Sequence, residues 1–150
     1  MKTKVLILTV ALLLVVAASG FSLGLGLAYG LSPLGGLPAN NVLFSAKFDQ
    51  LPFLMGLTFS LQDPFRFGMT ADWWMVQQPL AGIVNFYAGP GLYTGISGGS
   101  FDIGARIPLG LNIYPINVLE LFLEVAPAIA FLPTFPDVGL QAAVGFRFWF

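Results

Sequence analysis

The chain has 150 residues, 57% hydrophobic and 9% charged, with a net charge of −1 and a mean hydropathy of +0.84. Soluble domains carry about 25% charged residues, so this surface would be poorly solvated in water. Beyond the first 20 positions no apolar run reaches the roughly 20 residues of a membrane helix, and with no Cys the chain has neither disulfides nor thiolate metal sites.

Residues 1–20 read as a cleavable secretory signal. Lys2 and Lys4 form the positive region, positions 5–16 the apolar core broken only by Thr9, and Ala17-Ala18-Ser19-Gly20 offers small residues for cleavage near Ser19 or Gly20. Without Lys2 and Lys4, four basic residues stand against seven acidic ones, net −3. That weak acidity, with no basic patch, argues against nucleic acid as a partner. Positions 21–150 are expected to form one domain.

This domain alternates with period two in eight successive segments, as strands do. In the first, Phe21, Leu23, Leu25, Leu27 and Tyr29 oppose Ser22, Gly24, Gly26, Ala28 and Gly30. In the second, Val42, Phe44, Ala46 and Phe48 oppose Leu43, Ser45 and Lys47. The third sets Phe53, Met55, Leu57, Phe59 and Leu61 against Leu54, Gly56, Thr58 and Ser60. The fourth sets Phe65, Phe67, Met69, Ala71 and Trp73 against Arg66, Gly68, Thr70, Asp72 and Trp74. In the fifth, Val84, Phe86, Ala88, Pro90 and Leu92 oppose Asn85, Tyr87, Gly89, Gly91 and Tyr93. In the sixth, Phe101, Ile103, Ala105, Ile107, Leu109 and Leu111 oppose Asp102, Gly104, Arg106, Pro108, Gly110 and Asn112. The seventh sets Leu119, Leu121, Leu123, Val125, Ile129 and Phe131 against Glu120, Phe122, Glu124, Ala126 and Ala128. The eighth sets Leu140, Val144, Phe146, Phe148 and Phe150 against Gln141, Ala143, Gly145, Arg147 and Trp149.

One phase is large and apolar, the other small, polar or charged. Large apolar side chains suit lipid, and small ones suit the crowded lumen of a narrow barrel. The expected fold is therefore all-β: an eight-stranded, antiparallel, up-and-down transmembrane β-barrel. A soluble lipocalin-like barrel is the alternative, with the greasy face turned inward. Breaks are expected at 32–40, 49–52, 62–64, 76–79, 95–100, 114–117 and 132–137. Both termini should be periplasmic, with Trp73, Tyr114 and the terminal Phe cluster as an aromatic girdle near that rim.

Lys47, Arg66, Arg106 and Arg147 all fall on the inward phase, and so do Asp72, Asp102, Glu120 and Glu124. A balanced interior is what a narrow lumen needs, because an unpaired buried charge is costly. Folding the last hairpin about Phe135–Pro136 brings Arg147 opposite Glu124, and folding the preceding one about Pro115 brings Arg106 there too. The expectation is a layer Arg106–Glu124–Arg147, with Glu120 as the substitute partner. The structural reading of these charges is a packed polar core; the functional reading is a very narrow conduit.

No enzyme is expected, nor any cofactor or metal. Without His, the chain cannot run the His-dependent hydrolase, acyltransferase or protease mechanisms of barrel enzymes in that form. Gly24-Leu25-Gly26 and Gly89-Pro90-Gly91 lack the strand–turn–helix context of nucleotide loops and read as strand glycines.

Several stretches carry a resemblance: Phe86-Tyr87-Ala88-Gly89-Pro90-Gly91, Gly104-Ala105-Arg106-Ile107-Pro108-Leu109-Gly110-Leu111, Leu121-Phe122-Leu123-Glu124-Val125-Ala126-Pro127 and Gly145-Phe146-Arg147-Phe148-Trp149-Phe150. Over positions 84–150 the chain resembles a family of small outer-membrane barrels found in spirochaetes and other bacteria, and more broadly the OmpA-like and OmpX-like eight-stranded barrels. The first half shares only the alternation. The resemblance implies export to the bacterial outer membrane, periplasmic chaperones on the way, outer-membrane lipids around the barrel, and a monomer. It also implies that Phe146, Phe148 and Phe150 form the terminal strand signal shown to the barrel assembly machinery. Such families span structural, adhesive and defensive roles. The first expectation is a structural or envelope-integrity role; the second is a narrow, porin-like pore for small solutes or ions; the third is a surface adhesin, against which the short loops count.

Overall fold

The computed structural model describes residues 22–34, 42–60 and 65–150. The signal segment and parts of the first and third breaks lie outside the described residues. The strands are β1 (Leu23–Leu34), β2 (Val42–Phe48), β3 (Phe53–Ser60), β4 (Arg66–Trp73), β5 (Val76–Ala81), β6 (Val84–Ala88), β7 (Gly91–Ser97), β8 (Ser100–Arg106), β9 (Leu109–Ile116), β10 (Leu119–Leu132) and β11 (Asp137–Trp149). They make eight staves, because β4 runs on into β5, β6 into β7 and β8 into β9. Each stave pairs antiparallel with its neighbours, and β11 closes the sheet on β1 through Gly24↔Trp149 to Gly30↔Ala143. Closure leaves β5 alone paired on one side among the described strands and elsewhere removes the free sheet edge that lipid cannot tolerate.

The three interrupted staves lie side by side. Pro90 and Pro108 offer no N–H to a ladder, so pairing stops there. Their carbonyls still accept: Trp73 N donates to Pro90 O at 2.8 Å, and Gly89 N to Pro108 O at 3.3 Å. Beside Pro90 the first of these staves carries an extra residue, since Asp72 and Val76 are four apart where their partners Gly91 and Ala88 are three apart. This is a β-bulge at Trp74–Met75. The chain then continues as β5 through positions 76–79, where a break was expected. The hairpin turns later instead, at Gly82, whose φ of +54° suits glycine.

Stagger fixes the width. Following paired residues from Glu120 through Arg147, Gly26, Ser45, Gly56, Thr70, Tyr93 and Gly104 leads back to β10 at Ala130, ten residues further along. Eight staves with that stagger tilt by about 40° and enclose a lumen that side chains can fill.

The two phases separate as the alternation predicts. Leu25, Leu123 and Val144 are 46%, 54% and 54% exposed on the outer wall, amid a continuous apolar belt. In water such a belt would aggregate; against acyl chains it is at home. Inward, five bulky groups each lie over a glycine directly beside them in the register. Trp149 covers Gly24, Arg147 covers Gly26, Asp72 covers Gly91, Tyr93 covers Gly104 and Tyr87 covers Gly110. A Cβ at any of these five glycines would run into the partner side chain.

The seam between first and last staves shows what this achieves. Arg147 crosses the bare face of β1 at Gly26 and donates from Nε to Ser45 Oγ on β2 at 3.1 Å. Gly26→Val should therefore lower stability by about 1–3 kcal/mol through overpacking. Gly95→Ala, whose Cβ has only ordinary contacts, should leave it nearly unchanged. Urea unfolding, followed by the heat-modifiable gel mobility of the folded barrel, measures both; equal midpoints for the two variants would contradict the crossing.

Candidate functional site

Three cations and three carboxylates fill the half of the lumen nearest the C-terminus: Lys47, Arg106 and Arg147 with Asp72, Glu120 and Glu124, all buried. They sort into two clusters. In the lower one, Glu120 accepts three hydrogen bonds: from Arg147 Nη1 at 2.6 Å, Asn112 Nδ2 at 2.7 Å and Trp149 Nε1 at 3.0 Å. Arg147 and Glu120 are both fully buried. In the upper one, Arg106 binds Glu124 through Nη2, approaches Asp72 Oδ1 through Nε at 3.2 Å and donates from Nη1 to Gln141 Oε1 at 3.0 Å. Tyr87 donates its hydroxyl to the other oxygen of Glu124 at 2.9 Å.

Aromatic rings join the clusters. Trp74 and Tyr87 stack with centroids 3.7 Å apart. The Arg147 guanidinium lies over Phe122 at 4.0 Å and over Trp74 at 5.3 Å. Lys47 has no carboxylate within ion-pair distance among the described residues. Its ammonium sits instead between the faces of Trp74, at 4.9 Å, and Trp149, at 5.4 Å. Ring quadrupoles attract a desolvated cation there.

The expected three-strand layer is corrected by the register. Arg147 lies opposite Glu120 and pairs with it, not with Glu124. The last hairpin pairs Ala130 with Asp137, so it turns about Pro133–Thr134. The turn sits two residues before Phe135–Pro136, which shifts the pairing by four. Arg106 lies opposite Ala128 rather than Glu124, and its long side chain slants along the lumen to reach Glu124. Tyr114, expected on the outer girdle, turns to the lumen end, where its hydroxyl accepts from Asn112 Nδ2 at 3.5 Å and its ring faces Trp149 at 6.5 Å.

Arg66 and Asp102 stand apart from these clusters, in the other half of the lumen. Phe146 and Phe148 stand on the outer wall with rings edge to face at 5.7 Å, and Phe150 is 77% exposed. Nothing in the sequence beyond their alternation marks Tyr87, Trp149, Asn112, Gln141 or Ser45 for these contacts. All five lie on the inward phase, and that phase was the only signal available.

What this arrangement can do is fill and brace. Glu120→Ala leaves Arg147 buried without its carboxylate, for a cost of about 3–5 kcal/mol. Glu124→Ala should cost less, because Arg106 keeps Asp72. The order of the two urea midpoints is the check; a larger loss for Glu124→Ala would contradict the division into two clusters.

No family model and no curated protein matches the chain. Among solved structures it is similar to Neisserial surface protein A (NspA), with a TM-score of 0.55 at 15% identity over 87% of this chain and 97% of that one. Similarity is slighter to an OmpT loop-deletion mutant, an outer-membrane protein of Vibrio cholerae, with a TM-score of 0.34 at 12% identity over 85% of this chain and 48% of that one. It is comparably slight to Ail, the attachment invasion locus protein of Yersinia pestis, with a TM-score of 0.33 at 12% identity over 87% and 96%. The first similarity agrees with the register and the apolar belt: this chain is a small, closed, eight-stranded β-barrel of the outer-membrane type.

Proposed function

We propose that this protein is an integral barrel of the bacterial outer membrane with a structural, envelope-integrity role, and that its lumen is closed to solutes. One observation carries the reading: two ion-paired clusters, joined by stacked Trp74 and Tyr87, occupy the lumen from wall to wall. An ion following this path would have to separate buried pairs, each of which costs several kcal/mol to break. The barrel stands as a monomer in lipid. Its C-terminal strand, with Phe146, Phe148 and Phe150 on the lipid side, addresses the assembly machinery after periplasmic chaperones deliver the chain. In this reading the clusters brace the barrel and carry no reaction.

Single-channel recording of the refolded protein in a planar bilayer tests this. The expected trace is silent, with insertion verified by protease protection of the reconstituted barrel. Steady openings whose conductance changes on replacing Glu124 or Arg106 would instead make the lumen a narrow conduit and overturn the closed reading.

A further inference from the structure

The outer wall is not evenly filled. A groove of about 410 Å³ is cut into it, bounded by Leu25, Phe44, Ala46, Met55, Leu57 and Met69. The register explains the recess. One row around the wall reads Leu25, Ala46, Met55, Ala71, and the next reads Leu27, Phe44, Leu57, Met69. Ala46 is short and its neighbours are long, so the wall dips there. These side chains belong to the lipid-facing phase, and Phe44 and Met55 are about half exposed. Two of them are methionines, whose unbranched thioethers adapt to a flexible guest.

The groove lies close to the rim where β2 turns into β3. Ala46 precedes Asp49, and Met55 follows Pro52, by about 10 Å of strand. Asp49 and Gln50 are exposed in that turn. Trp74 N donates to Pro52 O at 2.7 Å, which brings the start of β5 beside it. β5 is paired on one side only, and Pro79 gives it a carbonyl but no N–H. This rim therefore offers acceptors and a carboxylate. Among the described residues every cation is turned inward: Lys47, Arg106 and Arg147 are buried in the lumen, and Arg66 lies between Ser60 and Ser97 on its wall. A second wall groove of about 410 Å³, bounded by Leu111, Ile113, Leu121, Leu123 and Val144, differs in one respect. The nearby turn Asn117–Val118 carries no charge.

We propose that the groove at Ala46 seats an acyl chain of an ethanolamine phospholipid, whose ammonium is held at the Asp49 rim. The apolar walls take the chain, and the carboxylate and rim carbonyls accept from the three N–H groups of the headgroup. A choline headgroup has the same charge and no N–H to donate. A glycerol headgroup leaves the lipid anionic, so Asp49 repels it and no cation on the wall compensates. The order of preference is therefore ethanolamine, choline, glycerol. The site requires a barrel lying in lipid and does not depend on whether the lumen conducts.

The test inserts the refolded barrel into vesicles of equal parts phosphatidylethanolamine, phosphatidylcholine and phosphatidylglycerol with identical acyl chains. The barrel is released in mild detergent, and the lipid it retains is read by native mass spectrometry. Phosphatidylethanolamine should be retained over phosphatidylglycerol by about fivefold, the scale of one charge near a membrane surface. Asp49→Asn should remove that preference and still retain lipid. Ala46→Phe fills the recess with an apolar group on the lipid side and should lose the retained lipid, with folding checked by heat-modifiable mobility. Val144→Phe, in the second groove, should leave the preference intact. The proposal is overturned if retained lipid mirrors the vesicle composition, if Asp49→Asn keeps the preference, or if folded Ala46→Phe retains lipid as before. It is overturned equally if Val144→Phe abolishes the preference.

Discussion

The rest of the structure depends on the width of an eight-stave lumen. At a tilt of about 40° the barrel is so narrow that side chains from opposite staves meet, as Arg147 and Trp74 do. To fit, several of the bulkiest lie against the wall over a bare position of the neighbouring stave. That is the physical reason for the register-matched couples Arg147 on Gly26, Asp72 on Gly91, Tyr93 on Gly104 and Tyr87 on Gly110. The glycines here are recesses rather than hinges. They let a side chain from one stave reach the next but one, so that the closing seam is held by Arg147 and Ser45 as well as by the backbone ladder.

Packing of this kind forces the charges of the two clusters and Lys47 out of water, and each of these six has a partner. Glu120 accepts from a guanidinium, an amide and an indole. Arg106 has two carboxylates and an amide oxygen within reach. Lys47 has two indole faces in place of a carboxylate. Polar groups buried in a low-dielectric interior are tolerated only when satisfied in this way. The same network that lets charged residues stand inside the barrel also fills it, and the closed reading rests on that identity of bracing and blocking. In the opposite half the side chains are smaller, and there the Tyr93 hydroxyl has no hydrogen-bond partner and Arg66 and Asp102 no salt-bridge partner among the described residues.

The phase of every segment was legible from period two alone. Inward Glu120, Glu124, Arg106 and Arg147 lie where the alternation put them, because a strand's side-chain period leaves no third choice. Register was not legible. The hairpin turn at Pro133–Thr134 rather than Phe135–Pro136 moved Arg147 from Glu124 to Glu120, since a two-residue shift of a turn displaces the ladder by four. Proline marked a turn near 76–79, but Pro79 sits in the end strand β5, where an absent N–H is tolerated.

By itself, then, the sequence determined the class, the number of staves and the face of each residue, because these follow from alternation and from the cost of exposing apolar surface to water. Only the tertiary structure decided which inward residues meet. Side chains as long as arginine contact residues several positions from their register partner, as Arg106 does with Glu124 across from Ala128. Which carboxylate each cation takes, which glycine each ring covers and where space is left over depend on stagger and closure, which no single strand contains.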